Sequence, residues 1–194
     1  MNQTRPAGLT AILVISSWMT YRVLGLIFLG ETDAFGGSLM ASAWVIPLGQ
    51  DALVGLCAPF VVYLLATRPK VITYAIGLAW LWWGVTDFVV GIVTGANYPP
   101  TTSLFGPYTP SAMMEIWLYG NLFVEIWALY LMLTPSVRVY FQRGENQAAM
   151  SVSQSPIGGA WIYIIIVSGL VGLTFPYVAI VIDGVFQLLG FAAA

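Results

Sequence analysis

The chain of 194 residues contains no histidine and one cysteine, and only 7% of it is charged. Each shortage excludes something. Soluble domains carry about 25% charged residues. Six basic and eight acidic side chains cannot give a fold of this size a water-soluble surface. The composition is 59% hydrophobic, too apolar for a disordered chain. Without histidine there is no His-ligated haem and no Cys/His metal site within the chain. With Cys57 alone there is no intrachain disulfide. The scarcity of basic residues also excludes nucleic acid as a partner. No cofactor is identifiable. No serine-hydrolase elbow, zinc-protease, P-loop or dinucleotide signature occurs, so the reading leans away from an enzyme.

What is abundant is long apolar sequence, with a mean hydropathy of +0.88. About 20 apolar residues cross a bilayer as a helix. Five such runs are read: about 9–29, 44–66, 72–94, 112–133 and 161–190. They are continuous rather than alternating, which argues against a β-barrel. The expected fold is therefore an all-α integral membrane protein, one polytopic domain over 1–194 built as a five-transmembrane-helix bundle. Outside the runs, Arg5, Arg68, Lys70, Arg138 and Arg143 all fall on the same side of five successive crossings. The positive-inside rule places that side in the cytoplasm, with the N-terminus cytoplasmic and the C-terminus outside. The first run is too long for a signal-peptide core and lacks a cleavage pattern. The linker from Gly95 to Ser111 is Pro-rich and uncharged, and reads as a cap over the outer ends. A short interfacial helix is expected around Val137 to Gln142.

Against this background the ionisable residues within the runs stand out: Arg22, Asp51, Asp87, Glu125 and Asp183, with Glu115 near a span end. Each costs about 2.5–3.5 kcal/mol at the centre of a membrane helix, and such residues mark function by default. Arg22, Asp51, Asp87 and Asp183 each stand about seven residues inside the outer limits 29, 44, 94 and 190, or roughly 10 Å deep. Glu125 falls deeper, near the midplane, and Glu115 shallower.

Helical phase then assigns faces. Trp80, Gly84, Asp87 and Gly91 form one stripe, and Gly77, Gly84 and Gly91 recur every seven residues. Such small residues let membrane helices approach closely, so Asp87 is expected to face a packed neighbour. Pro47, Asp51, Gly55 and Ala58 share a face. So do Trp117, Asn121, Glu125 and Ala128, as do Trp18, Arg22 and Gly25. In the fifth run Ser168, Gly172, Pro176, Ala179, Asp183 and Gln187 line one side, with a kink expected at Pro176. Trp80, Trp82, Trp83 and Trp127 lie near mid-span, away from the usual interfacial belts.

One arginine facing three aspartates leaves a net −2 if all ionise, and −4 with both glutamates. Like charges at low dielectric do not all stay ionised, so the layer holds protons or a cation. A carboxylate set without histidine suits protons, hard cations or amines, and which metal, if any, stays unknown. The candidate site is Arg22, Asp51, Asp87, Asn121, Glu125 and Asp183. The leading reading is a small membrane protein that binds or transports a proton, a hard cation or a cationic small molecule. The alternative is a structural or accessory subunit of a larger membrane complex. Its partners are the lipid bilayer and, through glycine-rich faces, other membrane subunits or a second copy. The bland reading of Arg22 is a buried ion pair that fixes helix register. Cys57 reads as a small apolar filler.

Overall fold

A computed structural model describes residues 5–30, 38–98, 102–103, 106–107 and 112–148. The fifth run, with Asp183 and the stripe through Pro176, lies outside the described residues, as do Glu31 and Asp33. The described part is a helical bundle: α1 (Ala7–Trp18), a 3₁₀ segment (Met19–Leu24), α2 (Gly25–Gly30), α3 (Ser38–Thr67), α4 (Val71–Asn97), α5 (Ala112–Leu133) and α6 (Pro135–Ala148). A two-residue antiparallel ladder pairs β1 (Thr102–Ser103) with β2 (Gly106–Pro107). It sits within the stretch expected to cap the bundle.

Three helical stretches are long and apolar enough to cross a membrane: Ala7–Ile27, Ala43–Thr67 and Val71–Asn97. A fourth is formed if the pair Leu118–Leu133 and Pro135–Gly144, bent by 56°, counts as one span. The first run is not one regular helix. It tightens to 3₁₀ geometry over six residues before resuming at Gly25, although no proline or glycine lies within the segment. The second run begins earlier than its apolar stretch suggests and passes through Pro47 and Pro59 without breaking. Each proline removes one backbone donor, which a packed membrane helix tolerates where neighbours satisfy the freed carbonyls.

The core runs between α1, α3, α4 and α5, with Leu9, Leu13, Val54, Leu65, Leu81 and Met132 among its buried members. Glycines set the spacing. A Cβ on Gly77 would meet Leu65 and Met132, and one on Gly84 would meet Met19, Glu125 and Arg22. Gly77 and Gly84 are seven apart on α4, and their partners Met132 and Glu125 are seven apart in the reverse direction on α5. The two helices therefore pack antiparallel and in step, as close small-residue packing requires.

At the α3–α4 turn, Arg68 and Lys70 are joined by the other loop cations. Arg5 donates from Nη2 to the Ala66 carbonyl at 2.9 Å. Gly144 of α6 lies directly against Pro69, close enough that a side chain there would strike the proline carbonyl. All five basic residues outside the runs thus gather at one end of the bundle, called the basic end below. The expected short helix near Val137 is longer than the sequence suggested. It starts with Pro135 at its first position, where the missing N–H has no intrahelical partner to lose. Val137 and Phe141 are buried and Arg138, Gln142 and Arg143 are exposed, so α6 folds its apolar side under the bundle.

The mid-helix tryptophans divide. Trp80 is buried and donates from Nε1 to the Val54 carbonyl at 3.2 Å. Trp82 is 64% exposed and Trp127 48%. Trp80→Phe should cost about 1 kcal/mol for the lost hydrogen bond, and Trp82→Phe almost nothing. Thermal unfolding of both variants in detergent checks this, and equal losses would refute the division.

Candidate functional site

The structure brings Arg22, Asp51, Asp87 and Glu125 into one cluster. Arg22 enters from the 3₁₀ segment, and its backbone is seated by α3. Gly55 lies so close to Arg22 and Val23 that a Cβ there would collide with their main chain. Gly25 likewise lets α2 approach Leu48 and Ala52. Two glycines on facing elements therefore hold the arginine-bearing backbone against α3.

From there the guanidinium addresses three helices at once. Nε donates to Asp51 Oδ1 of α3 at 2.5 Å. Nη2 donates to Asp87 Oδ2 of α4 at 2.5 Å. Nη1 donates to Glu125 of α5, at 3.0 Å to Oε1 and 3.2 Å to Oε2, and to the Gly84 carbonyl at 3.3 Å. The Phe88 ring covers its face, with its centroid 4.5 Å from Cζ. All three nitrogens and one π-face are engaged, a use of the planar fork that lysine could not reproduce. Tyr21, also buried, lies within electrostatic range of all four charged groups.

The carboxylates are not equivalent. The side chains of Asp87 and Glu125 are 2% and 3% exposed, whereas Asp51 is 30% exposed. Asp87 Oδ1 is buried and has no hydrogen-bond partner. An unsatisfied buried carboxylate oxygen is costly and calls for an explanation. Among the described residues, no three Asp, Glu or Cys side chains are grouped so as to hold a metal ion. The acids are splayed around a guanidinium rather than turned toward a shared centre.

The expected depths need correction for the two aspartates, not for Glu125, and all three acids meet the same guanidinium. α3 and α4 run past their apolar stretches, whereas α5 begins where its stretch does. Asp51 stands about 13 residues from Ser38, Asp87 about 10 from Asn97 and Glu125 about 13 from Ala112. At 1.5 Å per residue these levels differ by roughly 5 Å, which a long arginine side chain bridges. Asn121, one turn from Glu125, is buried at the edge of the cluster and accepts from Trp18 Nε1 at 2.9 Å. Asp183 lies outside the described residues, and of Glu115 only its place in α5 is described. Phe88 was missed. Its only signal in the sequence is its position beside Asp87, since an aromatic in an apolar helix carries no mark of what it covers.

No protein-family model matches the chain, and no curated protein or solved structure matches it.

Proposed function

We propose that this chain is a five-span membrane protein, N-terminus cytoplasmic, whose buried Arg22–Asp51–Asp87–Glu125 cluster binds and exchanges protons. The gathering of the five loop cations at one end of the bundle supports the orientation, because such residues stay on the cytoplasmic side. In this reading the apolar run at 161–190, known from sequence alone, is the fifth crossing.

The proton reading rests on Asp87 Oδ1, a buried carboxylate oxygen that no donor satisfies. One guanidinium balances one of three carboxylates. The cluster is electrically neutral when two protons are shared among the acids, and a low-dielectric site favours that state. Two features disfavour the other candidates. A hard cation needs several oxygens converging on a point, and these acids are turned toward Arg22. A cationic small molecule would need the carboxylates and aromatic face that Arg22 already occupies. A 3₁₀ stretch within a helix often marks a hinge, and here it carries the cluster's only cation.

The test compares wild type with Asp87→Asn in proteoliposomes, reading proton uptake under an imposed gradient together with the infrared carbonyl band of protonated carboxyls. Loss of Asp87-dependent uptake and of part of that band is expected. Unchanged uptake in folded Asp87→Asn overturns the reading. A second reading, a subunit of a larger assembly, is favoured by Trp82 and Trp127. These are large exposed rings away from the interfaces where tryptophan usually sits. Crosslinking through Trp82→Cys in native membranes, with intact-mass detection of a partner, would support it.

A further inference from the structure

We infer that a cleft between α3 and α4 carries water and protons to Asp87 Oδ1 from the end opposite the basic loops. The inference rests on the proton reading and adds the route.

On α4, Asp87, Gly91 and Gly95 follow one another at helical spacing on the face that packs inward. That face is closed at Gly84, Asp87 and Phe88, but Gly91 and Gly95 are partly exposed. Two earlier glycines of the same stripe, Gly77 and Gly84, are filled by neighbours. Leu65 and Met132 crowd Gly77, and Met19, Arg22 and Glu125 crowd Gly84. At Gly91 no described atom lies within 4 Å of where a Cβ would stand. The space therefore opens one turn beyond Asp87, on the side away from the basic end.

Its two walls carry what a proton route needs. Asp51, facing from α3, is 30% exposed while the other two carboxylates are almost fully buried. By accessible surface it is the least buried acid of the cluster. Asp87 is buried, yet its Oδ1 lacks a partner. A buried water needs two or more polar partners, and on this route Asp51 and the unpartnered Asp87 Oδ1 would be those partners. One turn further out the Trp44 ring lies over Gly95, with its Cη2 3.5 Å from where a Cβ there would stand. Trp44 is pinned there by its Nε1, which donates to the Tyr98 carbonyl at 3.0 Å. The indole narrows the mouth of the cleft. Among the described residues, the groups facing Asp87 on the remaining sides are Arg22 and Tyr21 from the 3₁₀ segment and Glu125 from α5. These close the inner end.

The chain's single cysteine makes the route testable. In a Cys57→Ala background, Gly91→Cys has room for its side chain and should fold. Val89→Cys, 45% exposed on the outward face of α4, is the control at similar depth. A membrane-impermeant charged methanethiosulfonate is applied to oriented vesicles from each side in turn. Gly91→Cys should react from the side away from the basic loops, and Val89→Cys should stay inert because lipid suppresses its thiolate. Labelling of Gly91→Cys should also block Asp87-dependent proton uptake, and Trp44→Ala should speed the labelling several-fold. An inert Gly91→Cys, or one reactive from the basic side, overturns the cleft even if Asp87-dependent uptake persists. A reactive Gly91→Cys with no Asp87-dependent uptake overturns the proton reading on which the route depends.

Discussion

Arg22→Met is expected to lower stability by about 3–5 kcal/mol, the cost of stripping the partner from a buried charged group. Three carboxylates lose their common donor in one substitution, and two of them are almost wholly buried. The loss is bounded because unpaired acids can take up protons rather than remain charged. Arg22→Lys should recover only part of it, since one ammonium cannot lie along three separate directions. Neutralising the whole set in Arg22→Met/Asp51→Asn/Asp87→Asn/Glu125→Gln should restore much of the stability, because no buried charge is then left unpaired. Thermal unfolding in detergent, with yield from membranes, reads all three. An Arg22→Met chain as stable as wild type would show that the guanidinium contributes nothing to the fold.

The second large effect belongs to a glycine. Gly55→Ala is expected to destabilise by about 3 kcal/mol, at the upper end of the range for overpacking. The added methyl would strike the backbone of Arg22 and Val23, and main chain cannot step aside as a flexible side-chain tip can. Gly77→Ala should cost less, because it meets the ends of Leu65 and Met132. Gly91→Ala should be neutral or stabilising by up to about 1 kcal/mol, since it fills open space and improves helix propensity. The ordering of these three melting temperatures is the measurement. A Gly55→Ala protein that melts with wild type would refute the close seating of the 3₁₀ segment. The same substitution should also disturb the cluster, because that backbone aims Arg22.

Some of this was legible in the residues. Arg22, Asp51, Asp87 and Glu125 stood out because an ionisable group inside an apolar run is expensive enough to be rare. Helical phase turned Asp87 toward a glycine-lined face, and Asp87 is buried there. Asp51 and Asp87 were counted too near their helix ends, because α3 and α4 extend past their apolar stretches. In contrast, α5 begins where its stretch does, and the count for Glu125 is unchanged. The 3₁₀ segment left no signature. Its sequence, Met19 to Leu24, contains no breaker, and tertiary contact with α3 accompanies it. Gly84 and Gly91 are indistinguishable as letters seven apart in one stripe, yet one is filled and the other open.

By itself the sequence determined the class of solvent and the inventory of chemistry. Apolar runs of this length bury their backbone only as helices, and without histidine the buried charges are carboxylates and one arginine. Only the tertiary structure decided that three of those carboxylates, far apart in the chain, meet one guanidinium while one buried carboxylate oxygen, Asp87 Oδ1, goes unpaired. Such pairing depends on how four helical elements approach one another. That approach is set by glycine contacts across the bundle, where no periodicity within one helix can register it.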